Sequence, residues 1–126
     1  MGDVGSWWIL VETTTWTHRE WELVRTVPVD GGRDRALARA AELARTCGAS
    51  GGDSDDPGAT GRRVFRVSET NWLVEIVRSH WDESTGLPAT TTTHVRVSAA
   101  VLEHAHEPPP AEPPPRGRLR RALGRG

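Results

Sequence analysis

Apolar and polar residues alternate with a strand-like period of two over most of this chain, and one stretch shifts to a helical spacing. Residues 7–15, WWILVETTT, are dense in β-branched and aromatic side chains. Alternation puts Trp7, Ile9 and Val11 on one face of a strand and Trp8 and Leu10 on the other, so both faces are expected to be partly covered. After the polar connection TWTHR, residues 20–27, EWELVRTV, set Trp21, Leu23 and Val27 against Glu20, Glu22 and Thr26. That pattern predicts a hairpin with one buried and one wet face.

Pro28 and the breaker run DGG end this hairpin and introduce RDRALARAAELARTCG, which is rich in Ala and Leu and nearly free of β-branched residues. Leu37, Ala40, Ala41 and Ala44 fall at i, i+3, i+4 and i+7, with Leu43 and Cys47 beside them, so a helix is expected to lay one stripe on the sheet and to close at Gly48. Because the stripe is mostly Ala, it buries little area, and Trp side chains are expected to supply much of the core. Residues 49–61, ASGGDSDDPGATG, show no apolar period and read as a disordered loop.

Alternation resumes in RRVFRVS, which is joined by SET to NWLVEIVRSHW, where Trp72, Val74 and Ile76 oppose Leu73, Glu75 and Val77. A second hairpin follows. Beyond the turn-rich DESTGLPA, the segment THVRVSAAVLEH alternates Val95, Val97, Ala99 and Val101 against His94, Arg96 and Ser98. The expected fold class is therefore α+β: an antiparallel sheet of about five strands with one helix packed on one face, in the order ββαβββ. The expected organisation is a flexible N-terminus at 1–6, a single domain at 7–106, and a disordered Pro-rich linker and basic tail at 107–126.

Composition adds one asymmetry. The formal net charge of −1 divides into 11 basic and 16 acidic residues up to position 107, and five Arg against Glu112 beyond it. An acidic body is poorly suited to broad phosphate binding, which needs a basic surface, so only the tail could supply it. Every basic residue is Arg, and Lys, Tyr and Gln are absent, a bias of GC-rich coding that discounts the Arg excess as a sign of recognition. Cys47 is the single cysteine, which excludes an intramolecular disulfide and fits a reducing cytosol. No run of about 18 apolar residues occurs, so a soluble, cytoplasmic protein is expected.

Candidate chemistry is sparse. His104 and His106 would share a side of an extended strand, but two ligands do not make a metal site, and His18, His80 and His94 would have to converge with them. The acidic run DSDD lacks the Gly and distal Glu of a calcium loop. No Ser stands in a GxSxG elbow, and Cys47 falls near a helix C-terminus, the wrong end of the dipole for a thiolate. No metal or cofactor is expected. Six Trp residues are the most unusual feature, and about four at most can face the helix. Trp8, Trp16 and Trp81 are the candidates for the outer face, where Trp serves as a binding hot spot or stacking platform.

In the tail, PPPAEPPP predicts an extended polyproline II spacer. Beyond it, Leu119, Ala122 and Leu123 stand at i, i+3 and i+4 with Arg118, Arg120 and Arg121 between them, a short basic amphipathic segment. It could fold against an acidic protein groove, an anionic membrane surface or nucleic acid. With a single Leu pair to insert, the segment suits an acidic protein better than a membrane.

The succession of a Trp-bearing hairpin, a helix closing with LARTCG, then RRVFRVSETNWLVEIV and HVRVSAAVLE resembles small α+β proteins of actinomycete-type bacteria over about residues 7–103. The resemblance implies no activity and no site residues. The expected function is a non-enzymatic interaction module that engages a protein through the Trp-lined sheet face and the Arg/Leu tail. Two alternatives stand beside it: a nucleic-acid binder using the Arg tail, and a small enzyme or ligand-binding domain with a pocket bordered by His80, His94 and Glu75. A homodimer formed through the edge of the last strand is a further expectation.

Overall fold

The computed structural model describes residues 3–14, 20–52 and 60–115. Its elements are β1 (Trp7–Thr14), β2 (Trp21–Val29), α1 (Arg33–Thr46), β3 (Thr60–Ser68), β4 (Asn71–Asp82) and β5 (Leu87–Val101). The strands form one antiparallel sheet in the order β2-β1-β5-β4-β3, with α1 across one face: an α+β fold with the predicted succession of elements.

The last strand is central only in its second half. From Val95 to Val101 β5 lies between β1 and β4, so this part offers no edge to a second copy, whereas residues 87–94 pair with β4 alone. The strand is also longer than its alternation suggested, because the Thr-rich run 90–93 joins it and the turn contracts to residues 83–86. Thr is β-branched, and its preference for extended backbone outweighs its polarity here. β3 pairs with β4 only as far as Arg78, and β1 pairs with β5 only down to Val95. Residues 79–82 and 87–90 thus continue as a two-stranded arm beyond the sheet.

The core lies between α1 and the face carrying Ile9, Val11, Trp72, Val74, Ile76, Val95, Val97 and Ala99. From the helix come Ala36, Ala40, Leu43 and Ala44, with Cys47 just past its end. The fully buried side chains are mostly Ile and Val, and the expected Trp contribution to the core comes from Trp72, which is buried, and Trp7, which packs against it. The alanines of α1 contribute little side-chain volume, so the sheet residues supply most of the bulk that fills this layer. Of the Trp residues, Trp72 is buried and Trp7 packs partly against the core, each within the first two residues of its strand.

The helix ends one residue before the expected glycine. Cys47 is the C-cap in extended backbone, its N–H donating to Leu43 O at 2.8 Å, while the N–H of Gly48 donates to Gly52 O at 3.1 Å. Arg62 of β3 completes the cap by donating to Ala44 O at 3.1 Å and to Cys47 O. Carbonyls at a helix C-terminus lack intrahelical donors and carry partial negative charge, so a guanidinium there meets both needs. Arg62→Ala is expected to lower stability by about 2–3 kcal/mol, the loss of charge-assisted hydrogen bonds at a half-buried helix end. Urea unfolding would check it; a change below about 0.5 kcal/mol would mean that water serves those carbonyls equally well.

The chain after α1 folds back over the core. Gly51 is buried with φ +84°, and an added Cβ would stand 2.6 Å from Val24 Cγ2 and 3.2 Å from Val11 Cγ1. At the other end of the sheet, backbone hydrogen bonds from Gly5 N–H to Leu102 O (2.7 Å) and from Leu102 N–H to Ser6 O (2.9 Å) tie the residues flanking β1 and β5 together.

Candidate functional site: the uncovered face of the sheet

No described element covers the second face of the sheet. Cross-strand pairing places on it Trp8, Leu10 and Glu12 of β1, Arg96, Ser98 and Ala100 of β5, Leu73, Glu75 and Val77 of β4, and Arg63 and Phe65 of β3. Trp8 and Trp81 both belong to this face, as their alternation predicts. Trp8 is half-buried, its indole Nε1–H donating to Ser6 Oγ at 3.2 Å, whereas Trp81 stands on the arm opposite Pro88 and is 63% exposed. Trp16 and the tail residues Arg118, Leu119, Arg120, Arg121 and Leu123 lie outside the described residues.

Trp21 and Leu23 also reach the uncovered face, although the alternation assigns them to the buried one. The register between β1 and β2 slips at Val11/Glu12: Arg25 stands opposite Val11 and Leu23 opposite Glu12, leaving Val24 as an extra residue. Because strand side chains have a period of two, one inserted residue sends everything before it to the opposite face. Val27 stays with Ile9 on the helix side, and Trp21 joins Thr14 on the other. The available signal was Arg25, a charge on the apolar parity between Leu23 and Val27.

Two groups of charged side chains interrupt the apolar surface, and each is paired within itself. Arg96 forms a bidentate pair with Glu12, with both N···O distances 3.0 Å, and its guanidinium lies 4.4 Å from the centre of the Trp21 ring. Guanidinium stacking holds the exposed indole against β1 while leaving its outer side open. In the second group, Arg63 donates to Glu75 at 2.6 and 2.9 Å, and His94 Nε2 lies 3.6 Å from the other carboxylate oxygen.

The hydrogen bonds from Arg63 are the first cause holding the Glu75 carboxyl below its usual range; partial burial opposes them, and His94 adds to the lowering. A carboxyl lowered in the folded state contributes stability above its ordinary value of about 4.3 and loses it as pH falls through the folded value. NMR titration of the Glu75 carboxyl is expected to show a midpoint below that ordinary value, and Arg63→Ala is expected to raise it. An unmoved midpoint in the variant would remove Arg63 as the cause.

The His/Glu pocket does not assemble. Glu75 and His94 face each other across β4 and β5, but His80 pairs with Ala89 on the arm and has the opposite parity, toward the helix side. His104 and His106 lie past the end of β5, outside any strand. Among the described residues no three His, Cys, Asp or Glu side chains are grouped as metal ligands would be. Cys47 is buried, and burial is the first cause raising its thiol pKa, with Arg62 opposing. Among the described residues no helix is long and apolar enough to cross a membrane.

One end of the uncovered face sinks into an open apolar groove of about 370 Å³, lined by Trp8, Leu10, Thr26, Ala100 and the segment 101–104. Thr26 and Ala100 are short side chains beside the tall Trp8, which is what makes the recess. Comparison with family models, with curated proteins and with solved structures finds no match to this chain.

Proposed function

We propose that this chain is a non-enzymatic interaction module that binds a protein partner through the uncovered, Trp-bearing face of its sheet, assisted by the basic Arg/Leu tail. The observation that supports this reading most is the state of the charges on that face. Its carboxylates, Glu12 and Glu75, already have Arg partners within the fold. A partner that covers the middle of the face, away from Glu103 at its groove end, therefore meets charges already paired, the condition under which burial of a surface carrying charges is least costly. Around those pairs stand Trp8, Trp21, Leu23, Phe65, Leu73 and Trp81, the aromatic and aliphatic side chains of which binding hot spots are made.

The same face speaks against phosphate as the ligand. Glu12 and Glu75 offset Arg96 and Arg63 one for one, so the surface lacks the basic excess that nucleic acid binding requires.

Replacing Trp8 and Trp81 together with Ala is expected to weaken partner capture from the native lysate by about 30-fold or more, two hot-spot side chains each carrying about 1–2 kcal/mol. Trp81→Ala alone should leave the thermal transition nearly unchanged, because that side chain is mostly in water. Equal capture by the wild-type and doubly substituted chains would remove the Trp-bearing face as the binding surface.

A further inference from the structure

The first half of β5 is a sheet edge. Its ladder with β1 stops where Thr13 meets Val95, and the next residue of β1, Thr14, pairs with β2 alone. Residues 87–94 keep β4 on one side, and among the described residues no strand flanks the other. Hydrogen bonds at the far end of the strand fix which way its backbone groups point. The N–H of Ala99 donates to Thr70 O, beside β4, and that of Leu102 to Ser6 O, beside β1. Backbone groups alternate sides along a strand, and the register with β4 runs unshifted from Leu87 to Ser98. Thr90, Thr92 and His94 therefore aim both N–H and C=O at the open side.

Such an edge is a template for another strand. The outer edges of β2 and β3 are guarded against a second copy. β2 carries the extra residue Val24 and Pro28, which has no N–H. β3 carries Arg62, Arg63 and Arg66, so a copy laid along it would bring like charges together. Residues 87–93, LPATTTT, carry no charge, and their Thr run is β-branched. Antiparallel pairing of this run with itself is self-complementary. With a two-fold axis at Thr92, Thr90 stands opposite His94 of the second copy, and each outward residue donates and accepts, about six backbone hydrogen bonds in all. Thr side chains brought together across the new ladder add to it.

We infer that this protein forms a two-fold homodimer by pairing residues 90–94 of β5 with the same residues of a second copy. Residues directly opposite in a ladder share a face, so the two sheets join with both uncovered faces on one side. The inference does not depend on what that face binds.

The test is sedimentation equilibrium of the full chain over a wide range of protein concentration, where a reversible dimer is expected. Thr92→Lys sets two cations opposite each other at the axis and should weaken the dimer by about 10-fold or more. Thr92→Glu should do the same, and mixing the two variants should restore a dimer. Thr92→Pro removes an outward N–H and spares the ladder with β4, so it should give a monomer with nearly the wild-type thermal transition. A chain that stays monomeric throughout, or a dimer indifferent to all three substitutions, would overturn the proposal. Slow hydrogen exchange at Thr90, Thr92 and His94 in a monomer would overturn it too, because those amides would then be held within one chain.

Discussion

Ile9→Ala should lower the stability of this domain by about 2–5 kcal/mol, the range for truncating a fully buried branched side chain and leaving a cavity. Ile9 has no exposed surface and stands on β1, between β2 and β5, beneath the alanines of α1. The helix cannot collapse into the void, because Ala36, Ala40 and Ala44 have no side-chain length to extend. A domain of about 100 residues loses roughly 4–8 °C of transition temperature per kcal/mol, so the melting point should fall on the order of 10–30 °C. Against a total stability of about 5–15 kcal/mol, such a loss brings the sheet near unfolding at ambient temperature. Thermal and urea unfolding would measure it. A loss below about 1 kcal/mol would mean that the face carrying Ile9 is not the sealed side of the sheet.

Gly51→Ala is expected to cost about 2–5 kcal/mol from two separable sources. Its φ of +84° lies in the left-handed region, where an L side chain adds about 1–2 kcal/mol. The new Cβ would also meet Val24 Cγ2 at 2.6 Å and Val11 Cγ1 at 3.2 Å, an overpacking that costs about 1–3 kcal/mol. Gly86 provides the control: its φ is +67°, yet nothing lies within 4 Å of a Cβ built there. Gly86→Ala should carry only the backbone part, and the difference between the two variants measures the contact. Equal losses would mean that the segment after α1 does not rest on β1 and β2.

Gly51 also shows where the sequence falls silent. It stands in a run of Gly, Ser and Asp without apolar period, the composition of a solvated loop, yet it closes the core beside Val11 and Val24. Glycine has no side chain through which hydropathy could announce burial. The bulge at Val24 is hidden for a similar reason: an inserted residue leaves apolar content unchanged and shows itself only when β2 is paired with β1. That single insertion moved Trp21 to the uncovered face and brought it within reach of Arg96, so one side of the candidate site rests on a feature without a local signature. Pairings such as Arg96 with Glu12, 84 residues apart, and Arg62 with the end of α1 likewise join residues that no spacing rule connects.

What the sequence by itself determined is the succession of elements and the inward set of β1, β4 and β5, because strand and helix periodicities are local properties that a run of residues carries in its own order. Trp8 and Trp81 were legible on the outer face for the same reason. Only the tertiary structure decided that β5 is central between β1 and β4 from Val95 onward, that of the described Trp residues Trp72 alone is buried among Ile and Val, and that Trp21 faces outward. Strand order, layer spacing and register are set by contacts between distant segments competing for the same buried space, and that competition is settled only when the whole chain is folded.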